Sequence, residues 1–183
     1  MAGHRGVSGV ALVGFMGGGK TTVGRELAGR IGWRFLDLDE LIEIREQRTI
    51  DQIFREDGEP GFRRLEYAAV RDAIKAPEST PMVLALGGGA FIEPEIQKCL
   101  RDAGIAAVFL DAPPAELFRR CEQPGVERPL RRDAEEFRKL YEQRRPQYLR
   151  AALRVDTSKK AVAEVVQEII SGLKLIPASG AWD

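Results

Sequence analysis

The sequence predicts an α/β fold, a three-layer sandwich with helices on both faces of a five-stranded parallel sheet. Five short apolar segments of β type recur along the chain, and longer stretches with helical spacing separate them. This alternation is typical of parallel strands joined by crossover helices. A glycine-rich turn between the first strand and the first helix lies where such sheets bind their ligands. The predicted strands are residues 10–13, 33–36, 82–86, 106–110 and about 153–155.

Helix boundaries are also visible in the sequence. Residues 49–52 form a capping-box pattern, Thr-Ile-Asp-Gln, which predicts two short helices that end near Gly58. A third helix is expected to begin near Pro60. Gly104 is expected to stop the helix before the fourth strand. The last helix carries apolar residues at helical spacing, namely Val162, Val165, Val166, Ile169, Ile170 and Leu173.

Length and charge favour one compact domain that binds neither nucleic acid nor a membrane. The chain has 183 residues and is 44% hydrophobic, and Lys+Arg and Asp+Glu each total 28. This balance gives no overall field to attract nucleic acid or an anionic membrane surface. No apolar run reaches the roughly 18 to 20 residues that cross a bilayer. Residues 174–183 are expected to be a disordered tail.

The cysteines and the N-terminal residues favour the cytoplasm. Cys99 and Cys121 have no metal-like spacing, which suits a reducing compartment. The N-terminal residues show neither a secretory nor a transit signal. His4, the single histidine, is not expected to bind metal. No helix has a self-complementary apolar face, so a monomer is expected.

Residues 14–21 predict a phosphate-binding P-loop. Their sequence, Gly-Phe-Met-Gly-Gly-Gly-Lys-Thr, fits G-x-x-x-x-G-K-[ST], and a predicted strand and helix flank it. In such a loop glycines let backbone N–H groups face a polyphosphate, the lysine reaches the β- and γ-phosphates, and the hydroxyl ligates Mg²⁺. A glycine turn that binds nothing is the weaker alternative. The residues expected to bind ATP here are Gly17, Gly18, Gly19, Lys20, Thr21 and Thr22.

Two carboxylates, Asp37 and Asp39, end the second predicted strand. An extended backbone sends residues two apart to the same face, so both are expected to face the phosphates. One can support Mg²⁺ while the other orients or deprotonates an attacking alcohol. Capping of the next helix explains Asp39 equally well when the pair is considered alone. Next to a P-loop, the catalytic interpretation is favoured.

Three consecutive glycines, Gly87, Gly88 and Gly89, follow the third predicted strand. One or two glycines would satisfy a simple turn, and a tight strand-to-helix turn is the alternative interpretation. A longer run permits a ligand to approach the backbone closely and to accept hydrogen bonds from its N–H groups. The run therefore predicts a substrate-binding turn.

Three arginines are candidate binding residues. Arg63 lies in the segment after the second predicted strand, and Arg128 and Arg144 lie in the arginine-rich C-terminal half. Arg63 and Arg144 are candidates for bidentate binding of a substrate carboxylate, which suits a planar guanidinium. Arg128 lies in a loop flanked by glycine and proline, where a mobile lid would bring its charge to a transferring phosphate. Residues 39–66 are expected to form a substrate-binding insertion, and residues 118–134 a lid.

With these motifs, residues 10–172 closely resemble the shikimate kinase family. The resemblance rests on ordered segments rather than on the P-loop alone. They are Gly-Phe-Met-Gly-Gly-Gly-Lys-Thr-Thr-Val-Gly-Arg, Asp37-Leu38-Asp39, Ile53-Phe54 with Gly58 and Phe62-Arg63-Arg64-Leu65-Glu66, Gly87-Gly88-Gly89-Ala90, Arg128-Pro129-Leu130, and Arg144-Arg145-Pro146-Gln147-Tyr148.

The resemblance implies a P-loop fold like that of nucleoside monophosphate kinases, and phosphorylation of the 3-hydroxyl of shikimate by ATP. It implies that Thr21 ligates Mg²⁺ with Asp37 supporting it through water, and that Asp39 is the catalytic base. It further implies that Lys20 and Arg128 stabilise phosphoryl charge. The residues it implies for shikimate binding are Asp39, Arg63, Gly87, Gly88, Gly89 and Arg144, and those for the adenine are Arg120 and Arg154.

Several assignments remain open at this point. Arg144 is preferred to Arg145 only because the family's arginine lies two residues before the proline, and the register of Arg120 is uncertain. Glu66 either braces the substrate site or is a surface charge. The acceptor is alternatively gluconate or a nucleoside monophosphate. A regulatory P-loop switch is a further alternative, since residues 108–111 imitate a Walker B strand, although guanine-binding motifs are absent.

Overall fold

A computed structural model describes residues 7–76, 81–122 and 133–176 of the chain. Five strands form one parallel sheet in the order β2-β3-β1-β4-β5. The prediction of five parallel strands is confirmed, with each strand within about two residues of its expected position. The strands are β1 Gly9–Val13, β2 Arg34–Asp37, β3 Met82–Ala85, β4 Ile105–Asp111 and β5 Leu153–Asp156.

Helices cover both faces of the sheet and complete three layers. They are α1 Lys20–Ile31, α2 Leu38–Glu46, α3 Ile50–Lys75, α4 Pro94–Asp102, α5 Pro114–Cys121, α6 Ala134–Tyr148 and α7 Val162–Leu173, with a short 3₁₀ turn at Ala90–Ile92. Alternate residues of β1 enter different cores, since Val10 and Leu12 pack with α1 and α7 while Ala11 and Val13 pack on the opposite face. All of β1 is buried, which is typical of a central parallel strand.

The strand order brings the predicted functional segments to one edge of the sheet. β1 pairs with β3 on one side and with β4 on the other, and all pairings are parallel. The carboxyl ends of β1, β2 and β3 therefore lead directly into residues 14–19, into Asp37 and into residues 86–89. Parallel α/β sheets bind ligands at this edge.

The segment after β2 forms α2 and the long helix α3. The predicted capping box begins α3, since Gln52 N donates to Thr49 Oγ1 at 3.2 Å and Thr49 N donates to Gln52 Oε1 at 2.8 Å. The expected helix boundary at Gly58 is confirmed, because Gly58 has the non-helical angles φ 68° and ψ 179° and two helical segments of α3 meet there at a kink. The positive φ favours glycine, and no separate loop intervenes before the segment that contains Pro60.

Other predicted boundaries agree with the structure. Gly104 follows α4 with φ 69°, and α7 ends at Leu173. Most of the expected lid, including Arg128, lies outside the described residues, as do His4 and residues 177–183 of the expected tail. Within the described ranges no helix is both long and apolar enough to cross a membrane.

Two glycines of α1 give a matched test of packing against this sheet. A Cβ on Gly24 would overlap the Phe35 ring and lie 3.2 Å from Leu12 Cδ1, whereas a Cβ on Gly29 would meet nothing within 4 Å. Gly29→Ala is therefore expected to stabilise the fold by about 1 kcal/mol through helix propensity. Gly24→Ala is expected to destabilise it by about 1 to 3 kcal/mol through overpacking.

Urea unfolding of both variants checks this pair of expectations. Equal gains in the free energy of unfolding would contradict the close packing of α1 on β2.

Candidate active site

The loop after β1 needs glycine at three positions. Gly14, Gly17 and Gly19 have φ values of 141°, 80° and 81°, a region that side chains with a Cβ rarely occupy. A Cβ would also lie 2.6 Å from Leu110 O at Gly14, and 2.5 Å from Leu117 O at Gly17. The loop is thus held tightly against β4 and α5, with its backbone turned as a P-loop requires.

Lys20 begins α1 and folds back across this loop. Its Nζ donates to Gly14 O at 2.9 Å and to Phe15 O at 3.0 Å. Thr21, the next residue, donates its hydroxyl to Asp37 Oδ2 at 2.7 Å. The ammonium, the hydroxyl and the carboxylate are therefore brought together at the start of one helix, whose N-terminus favours anions.

Asp37 also forms the cap of α2. Its Oδ1 accepts a hydrogen bond from Asp39 N at 3.1 Å, and it occupies the N-cap position. The alternative interpretation of Asp39 as the capping residue is therefore wrong. The side chain of Asp39 lies at the turn after β3, where its Oδ1 would be 3.1 Å from a Cβ on Gly87.

The three glycines after β3 make room for side chains. None of Gly87, Gly88 and Gly89 has a positive φ. A Cβ on Gly87 would lie 3.0 Å from Glu66 Oε1 and 3.1 Å from Asp39 Oδ1, and a Cβ on Gly89 would collide with the Arg63 guanidinium. We call this turn, residues 87–89, the triglycine turn. It brings two carboxylates and a guanidinium from α2 and α3 together.

Glu66 is fully buried beside this turn, so its interpretation as a surface charge is wrong. Arg63 Nη1 donates to Glu66 Oε2 at 2.5 Å, and Arg63 Nη2 donates to Glu59 Oε1 at 3.1 Å. Glu66 Oε1 is buried without a hydrogen-bond partner among the described residues. Burial, helped by the charges of Asp39 and Glu93 and opposed by Arg63, raises the pKa of Glu66 to about 7.

Arg144 and Arg145 point to different places. The Nη1 atom of Arg144 lies 3.7 Å from where a Cβ on Gly88 would be, and its guanidinium lies 5.8 Å from the centre of the Phe15 ring. Arg145 instead donates to Asp111 Oδ2 at 3.1 Å. The geometry therefore supports Arg144, previously chosen by register alone, as the arginine at the triglycine turn.

The carboxylate of Asp111, at the end of β4, accepts hydrogen bonds from two arginines. This carboxylate is 3% exposed, and its hydrogen bonds include those from Arg154 Nε at 2.9 Å and from the Tyr141 hydroxyl at 2.7 Å. The hydroxyl of Thr21 contacts Asp37, so the resemblance of residues 108–111 to a Walker B strand finds no support in these contacts. Arg154 is half exposed at this edge of the sheet.

Arg120 lies at the P-loop. It donates from Nη1 to Gly17 O at 3.4 Å and to Thr157 Oγ1 at 3.0 Å, and from Nη2 to Thr157 O at 3.0 Å. The structure thus brings Arg120 and the loop together, while its contact with adenine stays a prediction. In the described parts of the chain no group of three or more His, Cys, Asp and Glu side chains is arranged to hold a metal ion.

Sequence reasoning missed two features of this region. The Tyr148 hydroxyl donates to Gly88 O, and the only signal for this role was its spacing four residues from Arg144, which puts both on one helix face. A shallow surface pocket also lies beside the P-loop, lined by Thr21, Thr22, Arg25, Glu26 and Val162. Val162, predicted from the sequence only as one of the apolar residues of the last helix, is exposed here.

Comparison with known proteins decides the family. The family model described as shikimate kinase matches residues 16–174. The chain belongs to the shikimate kinase family. A shikimate kinase of Thermus thermophilus is 43% identical over 167 residues, which cover 90% of this chain and 89% of that protein. The predicted family and enzyme class are confirmed.

Solved shikimate kinases share the fold. The crystal structure of shikimate kinase from Aquifex aeolicus has 34% identity and a TM-score of 0.78, and the match covers 90% of this chain and 95% of that one. Shikimate kinase from Acinetobacter baumannii, solved in complex with shikimate, has 32% identity and a TM-score of 0.80, covering 91% and 92%. The predicted P-loop kinase fold is confirmed.

The buried Glu66 predicts a pH-dependent stability difference. Its pKa is raised from an ordinary 4.5 to about 7 in the folded chain, so between these values the folded state holds more protons than the unfolded state. Stability from this group is therefore lost as pH rises through that window. Glu66→Gln removes the titration, so the free energy of unfolding of the wild type relative to Glu66→Gln is expected to fall by about 2 kcal/mol between about pH 5 and pH 8.

Urea unfolding at the two pH values measures this difference. Glu59→Gln is the matched control, because Glu59 also pairs with Arg63 but its side chain is 64% exposed. A pH-independent difference for Glu66→Gln, or an equal pH effect in Glu59→Gln, would contradict the assignment.

Proposed function

We propose that the chain transfers the γ-phosphoryl group of ATP to the 3-hydroxyl of shikimate and gives ADP and shikimate 3-phosphate. The observation that carries the proposal is the convergence on the triglycine turn of Asp39, Arg63 and Arg144, next to a formed P-loop. A hydroxyl-directing carboxylate and two carboxylate-binding guanidiniums suit an acceptor that is both an alcohol and an acid. This fits the family to which the chain belongs.

The donor half of the proposed site is the P-loop with its flanking arginines. Backbone N–H groups of Gly17, Gly18 and Gly19, with Lys20 and Thr22, bind the phosphates of ATP. Arg120, already at Gly17 O, flanks the adenine together with Arg154. Arg128, which lies outside the described residues, contacts the transferring phosphoryl group from the lid.

The oxygens of Thr21 and Asp37 fit Mg²⁺ at this site. They are 2.7 Å apart at the start of α1, and Mg²⁺ at a nucleotide takes few protein oxygens beside phosphates and water. Thr21 would be a direct ligand and Asp37 a ligand through water. The chemistry that the bound ion supplies is neutralisation of phosphate charge.

In the acceptor half, Asp39 directs the reacting hydroxyl. The hydroxyl oxygen attacks the γ-phosphorus, the bond from this phosphorus to the β–γ bridging oxygen breaks, and the hydroxyl proton passes to Asp39. Arg63 and Arg144 bind the shikimate carboxylate beside Gly88. Glu66 holds Arg63 in place through its hydrogen bond, so that the guanidinium keeps a fixed orientation.

We also propose that the enzyme is a cytoplasmic monomer. Support comes from Cys99 and Cys121, which are not bonded to each other, as suits a reducing compartment. The balanced charge of the chain gives no reason to propose nucleic acid or membrane as a partner.

An acceptor panel tests the proposed substrate. Purified protein with Mg²⁺ and ATP is expected to release ADP rapidly with shikimate, and slowly with gluconate, with AMP or with no acceptor. ADP release that does not depend on the acceptor would refute the kinase assignment. Preference for gluconate or AMP would refute shikimate as the substrate.

Replacement of Asp39 tests the catalytic base. Asp39→Asn is expected to lower kcat by about 10²- to 10⁴-fold, because general-base catalysis contributes that much, while the KM for ATP stays within about twofold. Asp72→Asn is the control, since Asp72 is an exposed side chain paired with Arg45 on the outer surface. Steady-state kinetics measure both variants, and unchanged turnover in Asp39→Asn would exclude it as the base.

A further inference from the structure

The carbonyl of Gly88 is held from outside the triglycine turn. Gly87 O accepts from Ala90 N at 3.1 Å and Gly89 O accepts from Ile92 N at 3.2 Å, so both carbonyls are fixed by the local backbone. Gly88 O accepts instead from the Tyr148 hydroxyl, which belongs to α6 and is 60 residues away in sequence. The middle peptide of the turn thus depends on a distant side chain.

Tyr148 is a rigid donor. Its side chain is fully buried, and its ring lies against Phe109 with the ring centres 5.2 Å apart. Burial raises the pKa of Tyr148 to about 12, so the hydroxyl keeps its proton near neutral pH and can always donate to the carbonyl. A buried ring with fixed packing holds this hydroxyl in one position.

The orientation of the Gly88–Gly89 peptide matters for an acceptor. A trans peptide is planar, so fixing the carbonyl of Gly88 also fixes the N–H of Gly89 on the opposite side. Glycine on both sides makes rotation of this peptide easier than in any other sequence. Without the hydroxyl, Gly88 O would lose its only hydrogen bond to the described residues.

Arg144 lies beside Tyr148 at the same turn. The two residues are one helical turn apart on α6, on the same face. Arg144 Nη1 lies 3.7 Å from where a Cβ on Gly88 would be, and the Tyr148 hydroxyl donates to Gly88 O. One face of α6 therefore presents both side chains to Gly88.

We propose that Tyr148 is a positioning residue for the acceptor, whose hydroxyl orients the Gly88–Gly89 peptide beside the Arg144 guanidinium. This inference rests on the proposed function of the triglycine turn as the acceptor site. It assigns Tyr148 no contact with shikimate and no proton transfer. Its loss would disturb the acceptor half and leave the donor half intact, because the hydroxyl donates to the triglycine turn and the P-loop is shaped by its own glycines.

The test compares Tyr148→Phe with Tyr141→Phe. Both tyrosines lie on α6, but the Tyr141 hydroxyl donates to Asp111 and not to the triglycine turn. Tyr148→Phe is expected to raise the KM for shikimate roughly fivefold to tenfold, as loss of one hydrogen bond would, with the KM for ATP and kcat within about twofold of wild type. Tyr141→Phe is expected to leave the KM for shikimate within about twofold.

Thermal unfolding curves identify an assay temperature at which both variants are folded. Calorimetric titration with shikimate in the absence of ATP measures acceptor binding independently of turnover. In Tyr148→Phe, equal increases in the KM for shikimate and the KM for ATP, or an unchanged KM for shikimate, would overturn the proposal. The same increase in the KM for shikimate in Tyr141→Phe would also overturn it. A Tyr148→Phe chain that is unfolded at every temperature would also overturn it, because the hydroxyl would then serve stability.

The two proposals fail in different ways. Wild-type turnover with shikimate tests the proposed function, while the comparison between the two variants tests positioning. If the wild type prefers another acceptor, the KM for that acceptor is measured in the same variants. Selective weakening of that acceptor by Tyr148→Phe would then support positioning although shikimate had been the wrong substrate.

Discussion

The parallel pairing of β1 with both β3 and β4 is the constraint on which the site depends. Because every strand runs the same way, the carboxyl ends of β1, β2 and β3 meet at one edge of the sheet. The P-loop, Asp37 and the triglycine turn follow those three ends directly. These three segments, which lie between residues 14 and 89, thus become neighbours without any long loop to bring them together.

Glycine supports this arrangement in two physically different ways. In the P-loop, Gly14, Gly17 and Gly19 adopt positive φ values and lie so close to β4 and α5 that a Cβ would collide with backbone carbonyls. In the triglycine turn the backbone is ordinary and the missing Cβ atoms leave space for neighbouring side chains. The first use shapes a backbone for phosphates, and the second makes room for charged groups.

Arg63 and Arg144 both lie beside the triglycine turn but differ in how their charges are paired. Arg63 donates to both Glu66 and Glu59, whereas Arg144 lies between the Phe15 ring and the triglycine turn. Asp111 similarly accepts from Arg145 and Arg154, which keeps Arg145 away from that turn. Neighbouring arginines on one helix therefore differ in role because only one of them meets a buried carboxylate at the end of β4.

The sequence by itself determined the strands and the P-loop. It also singled out Asp37, Asp39, Arg63 and the triglycine turn as candidate site residues, because local spacing and glycine content signal these features directly. It also gave the family, which requires only ordered motifs. It likewise predicted the break in helix geometry at Gly58, because glycine tolerates the positive φ found there. Strands, the P-loop and the family motifs depend on residues that are close together in sequence, so they can be predicted without the tertiary structure.

Only the tertiary structure decided which of Asp37 and Asp39 caps α2, which of Arg144 and Arg145 lies at the triglycine turn, and whether Glu66 is buried. Each choice depends on contacts between segments distant in sequence, such as Glu66 with Gly87 or Arg145 with Asp111. Tyr148 is the clearest case, since its spacing places it on the same helix face as Arg144 but does not identify the carbonyl 60 residues away to which it donates. Burial and pairing are properties of the packed chain, and no local pattern encodes them.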